Sequence, residues 1–153
     1  MKHPDNPFQA SEAEDSSGFL LWQVTNLWQR EIRKALEKYN LTHAQFVLMA
    51  SIHWLTLHKQ EVTQVVLSSH TKIDPMTTST VLRTLQQKNL LSRQEHATDT
   101  RAKTVTLTAD GITIIKQAVK TVEQFDNLFF STLGHKTESF NKKLRQLLAQ
   151  KLK

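Results

Sequence analysis

Between Ile73 and Thr108 the hydrophobic period changes from helical to alternating, and this change restricts the folds open to the chain. Asp74 followed by Pro75 marks a helix start. The carboxylate can accept from free first-turn N–H groups, and proline's missing N–H is harmless at the first helical position. From there Thr78, Val81, Leu82 and Leu85 recur on one side at helical spacing and are predicted to pack inward. Met76, Ser79, Thr80, Arg83 and Gln87 occupy the opposite side, with Thr77 at its margin. Asn89 suits a left-handed cap, and Leu90 and Leu91 return the chain to the core. Ser92 to Glu95 read as a strand, and Lys103 to Leu107 alternate polar and β-branched residues as a second strand. The charged turn His96 to Ala102 joins them, with Asp99 and Arg101 near its tip.

Helical periodicity dominates the rest. Leu20, Leu21, Val24, Leu27, Trp28, Ile32, Ala35, Leu36 and Tyr39 predict a long helix from Gly18 to Tyr39 with a wide apolar face. Thr42 and Gln45 have capping-box spacing, with Leu41 and Phe46 placed as a hydrophobic staple, and open a second helix ending near His58. Thr63 starts a shorter helix that stops about Thr71, so two short helices precede the hairpin as a helix-turn-helix. Thr108 caps another long helix, apolar from Ile112 to Leu133 and ended by Gly134. A final amphipathic helix carries Phe140, Leu144, Leu147, Leu148 and Leu152 on one side. Residues 1–17 are polar and acidic and are expected to form a loose arm. The expected fold is mainly α with a small β-hairpin wing: a winged helix-turn-helix core flanked by long terminal helices. One chain cannot easily cover the apolar faces of those helices, so a homodimer is expected.

Composition narrows the functions. With three glycines and three prolines, loops and β-turns are scarce. The absence of cysteine excludes disulfides, thiol redox sensing and thiolate zinc sites. No apolar run approaches the ~18 residues of a membrane span. A soluble cytoplasmic protein with no membrane partner is expected. The net charge of +6 favours acidic partners. No cofactor motif, glycine-rich phosphate loop or convincing carboxylate pair is present, so an enzyme is not expected. Seven histidines raise the question of metal. His53 and His58 are five apart rather than at ligand-pairing i, i+4 spacing, and the others are scattered, so no metal site is expected.

A helix face of short hydroxyls with one arginine and no carboxylate suits a DNA major groove. Thr77, Ser79, Thr80 and Arg83 on that helix, with Arg101 and Lys103 on the hairpin, are the candidate contacts to double-stranded DNA. Solvated surface is the alternative for each, and most evenly so for Lys103. Arg83 could instead pair with Asp99, and Arg93 could either touch phosphate or support the wing. A winged helix that binds another protein rather than DNA remains the competing function.

Several segments in this order resemble the MarR family of bacterial transcription regulators. They are Leu41 to Phe46, Thr78 to Leu85, Asn89 to Arg93, Asp99 to Ala102, and Val105 to Gly111. The likeness spans roughly residues 18 to 150; Asn89 stands where the family pattern has glycine. The resemblance implies a dimeric regulator of a pseudo-palindromic promoter site, expected to be a repressor. The winged-helix lobe would cover about 42–107, and dimerisation helices about 18–39 and 109–152, within one unit of 18–153. It implies a recognition helix in the major groove and a wing in the adjacent minor groove. Arg101 then matches the wing arginine and Asp99 the residue that holds the wing in shape. It also places Trp22, Trp28, His53 and Trp54 on helices that would wall an effector pocket. There a small aromatic ligand would suit them, with core packing or dimer contact as the alternative.

Overall fold

The computed structural model describes residues 3–95 and 103–152. The turn His96 to Ala102, with Asp99 and Arg101, lies outside the described residues. Helix α1 spans Ser17–Leu36, and Ser16 caps it by accepting from the Phe19 N–H at 3.3 Å. The arm before it contains a 3-10 turn, Ala13–Asp15, and folds against Phe19 around a cavity of about 440 Å³. The α-helix ends three residues before the predicted Tyr39. Glu37–Tyr39 tighten into a 3-10 turn, and Asn40 adopts a left-handed φ of 54°. Asparagine tolerates that conformation better than other non-glycine residues, so the chain can reverse here.

Helix α2, His43–Leu57, begins at the predicted capping box. Thr42 Oγ1 accepts from the Gln45 N–H at 3.1 Å, and Gln45 Oε1 accepts from the Thr42 N–H at 3.1 Å. The two contacts satisfy two otherwise orphaned donors. Helix α3 spans Gln64–Thr71 and is capped by Thr63. Helix α4 spans Pro75–Gln87 behind the Asp74 cap. Strands β1 (Leu91–Glu95) and β2 (Lys103–Leu107) pair antiparallel, with Arg93 opposite Val105. The backbone just before α3 joins β2, where the Val105 N–H donates to the Val62 carbonyl at 2.8 Å.

Helix α5, Ala109–Phe130, starts at the Thr108 cap and gives way to a 3-10 stretch over Ser131–Lys136 before Gly134 is reached. Helix α6 spans Thr137–Leu148, so Leu152 lies beyond it rather than on its apolar face. One core joins the second half of α1 to the central module. Ile32 and Leu36 meet Leu48, Met49 and Ile52 of α2, Leu67 of α3, Leu82 and Leu85 of α4, Val105 of β2 and Ile115 of α5. Burial of these aliphatic side chains is the main force holding the helices together. In contrast, α6 and the first half of α1 contain no buried residue. No helix among the described residues is long and apolar enough to cross a membrane.

Candidate nucleic-acid interface

Helix α4 is oriented by its inner face and its first turn. Thr78, Leu82 and Leu85 are fully buried, and Thr78 Oγ1 donates back to the Asp74 carbonyl at 2.9 Å. The preceding helix holds the same turn, since Ser68 Oγ donates to the Ile73 carbonyl at 2.7 Å. Asp74 accepts from both the Thr77 hydroxyl (2.7 Å) and the Thr77 N–H (2.9 Å). These bonds, the hydroxyl's first, hold its carboxyl below the usual range.

The outer face is the one read from the sequence. Met76, Thr77, Thr80, Arg83 and Gln87 are exposed, while Ser79 is half-buried. The hydroxyls are not idle, however. Thr80 Oγ1 donates to the Met76 carbonyl at 3.1 Å, and the Thr77 proton is engaged by Asp74. Each would have to rotate to donate to a nucleic acid, whereas its acceptor lone pairs stay available. Lys103 is exposed at the start of β2.

Arg93 links the hairpin to α4. Its Nη2 donates to the Ser79 carbonyl at 3.1 Å, which ties the hairpin to α4. Its Nε is buried with no partner among the described residues. Burial first, and then the neighbouring Arg83, lower its affinity for the proton. A second tie was not legible from the sequence. Lys88, at the end of α4, donates through Nζ to the Asn40 carbonyl and to Gln45 Oε1 (3.3 Å).

The four residues proposed for an effector pocket occupy different environments. Trp28 is half-buried; its indole N–H donates to Asp126 Oδ1 at 2.8 Å, and its ring meets His43 edge-on at 5.0 Å. Trp54 is exposed and stacks on His58 at 4.1 Å. Trp22 is 67% exposed on α1, and His53 is half-buried. The ring contacts thus pair Trp28 and Trp54 with histidines rather than with each other. Among the described residues no three His, Asp or Glu side chains are grouped so as to hold a metal ion.

Comparison with known proteins adds relatives to this geometry. The model of the ArnR1-like winged-helix domain matches residues 37–125. The uncharacterized HTH-type transcriptional regulator YdcH of Bacillus subtilis is 40% identical over 133 residues, 87% of this chain and 90% of the relative. Among solved structures, Bordetella bronchiseptica BpsR superposes with a TM-score of 0.82 at 24% identity, covering 95% of this chain and all of that one. Staphylococcus aureus MepR in its DNA complex gives 0.80 at 21% identity, covering 88% of this chain and 97% of that one. These relatives are regulators, a non-enzymatic family. With its helix-turn-helix, its hairpin and these similarities together, the chain belongs to the MarR family of winged-helix transcription regulators.

Proposed function

We propose that the protein is a dimeric repressor that binds a pseudo-palindromic site in double-stranded DNA and is released by a small aromatic ligand. The observation that carries this reading is the outer face of α4, exposed and lined by Thr77, Thr80, Arg83 and Gln87 without a carboxylate. In the major groove that face offers a guanidinium for bidentate contact to guanine and hydroxyls for phosphate or base edges. Ser79 lies at its margin, while Lys103 and Arg101 on the wing would reach the adjacent minor groove, with Asp99 holding the wing in shape. The MepR structure is a complex with DNA, which supports the same use here.

The dimer is supported by apolar surface left uncovered in one chain. Leu21, Trp22 and Leu27 on α1, Leu128 on α5, and Leu147 and Leu148 on α6 are all exposed. Large apolar side chains left exposed in such number are a feature of association surfaces. We assign about 42–107 to the DNA-binding lobe and about 18–39 and 109–152 to dimerisation, with action in the cytoplasm. The ligand reading draws on BpsR, whose DNA binding is regulated by 6-hydroxynicotinic acid, a flat aromatic acid. Trp22, Trp28, His53 and Trp54 supply aromatic surface near α1 and α2 for such a molecule. The test is selection of bound duplexes from genomic or random DNA at several salt concentrations. Recovery of an inverted repeat with half-sites about one helical turn apart is expected. Recovery of unselected DNA whose binding vanishes with salt would overturn the reading and favour a protein partner.

A further inference from the structure

We propose that Lys88 is a positioning residue that sets which half-site spacing the dimer accepts. This inference rests on the DNA-binding dimer proposed above.

Residues 88–90, just past α4, form a junction of three elements. On one side the junction is fastened to α5. Thr108 Oγ1 donates to the Asn89 carbonyl at 2.8 Å, and the Thr108 N–H donates to the Leu90 carbonyl at 3.1 Å. The first turn of α5 lies so close that a Cβ on Gly111 would stand 2.1 Å from the Leu90 oxygen. On the other side Lys88 Nζ reaches the Asn40 carbonyl, in the left-handed turn that closes α1, and Gln45 Oε1 in the capping box of α2. The end of the recognition helix is therefore held to α5 by tight backbone contact and to the α1–α2 turn by a side-chain clasp. Helices α1 and α5 carry the proposed dimer surface, so this junction fixes the angle of α4 to the dimer axis.

That angle matters because DNA does not tolerate misregister. Adding one base pair between half-sites moves them about 3.4 Å apart and rotates one against the other by about 35°. A stiff junction rejects such a site, and a loosened one follows it. Lys88 lies at the inner end of α4, five residues beyond Arg83, so its removal deletes no residue of the groove-facing set.

The test compares the full-length wild type with Lys88→Met and Gln45→Glu on duplexes carrying one inverted repeat. Spacers are shortened or lengthened by single base pairs. Lys88→Met keeps the apolar stem and removes the charged clasp. Gln45→Glu keeps the cap acceptor, a favourable residue at that position, and strengthens the clasp with a carboxylate. The wild type is expected to prefer its best spacing over the next by about tenfold, a difference of about 1.4 kcal/mol. Lys88→Met should reduce that to under about threefold while selecting the same half-site bases. Gln45→Glu should raise it above the wild-type value, so a Gln45→Glu preference no higher than wild type would count against the clasp even if Lys88→Met fails to fold. Spacing profiles unchanged from wild type in the variants that fold would overturn the role of Lys88 and leave DNA recognition intact. A wild type that selects no spaced repeat would overturn both.

Discussion

His43 occupies the first turn of α2, edge-on to Trp28 of α1 and near Asp126 of α5. Burial pushes its proton affinity below the ordinary 6.5; Asp126 opposes that shift and Arg33 adds to it. The folded chain therefore binds this proton less readily than the unfolded chain. As pH falls through the ordinary imidazole range, the unfolded state takes up more proton and stability drops. Above that range both states hold neutral imidazole and the contribution is fully present. Asp126→Asn keeps an acceptor for the Trp28 indole but removes the opposing charge. It should steepen the loss of thermal stability between about pH 7 and pH 5, read by calorimetry. His43→Gln should flatten it. Identical pH profiles in both variants and the wild type would contradict this assignment.

In the proposed complex helix α4 and the hairpin would divide the work of recognition between them. If Arg83 reads a base, Arg83→Ala costs about 1–3 kcal/mol of binding and relaxes preference at one position of each half-site. Arg101→Ala should weaken binding across all sequences and reduce the salt slope by about one per site contacted. Fluorescence anisotropy across a salt series separates the two, and unaltered binding by both variants would reject this interface. The element boundaries were legible wherever a side chain bonds its own local backbone. Thr42, Thr63, Asp74 and Thr108 all cap the helices predicted for them. Boundaries were missed where the helix tightened gradually, at Leu36 and Phe130, because 3-10 turns keep nearly the same side-chain periodicity.

At the scale of the whole molecule, the uncovered helices are the main feature that a single chain leaves unresolved. Leu147 on α6 is 58% exposed, and Trp22 on α1 more so. In the proposed dimer these faces cover one another. Leu147→Glu should then shift the protein to monomers in sedimentation experiments. It should also lower affinity for a two-half-site duplex on the order of a hundredfold, since linked binding is lost. Retention of a dimer in that variant would move the interface elsewhere. The DNA-binding lobe should keep its fold, because its core is built without α6.

The sequence by itself determined the order of helices and strands, the inner and outer faces of α4, and the left-handed turn at Asn89. All of these follow from periodicity and backbone chemistry acting over a few residues. Tertiary structure alone decided the longer-range ties. Lys88 finds Asn40 and Gln45 across more than forty residues, Arg93 lodges against the Ser79 carbonyl, and Trp28 spends its indole N–H on Asp126. Nothing in local spacing announces these partners, since a long polar side chain can reach any acceptor the packed helices bring within range. Their identity is settled only when Ile32, Leu48, Leu82 and Ile115 close around a common core and fix where every helix end must lie.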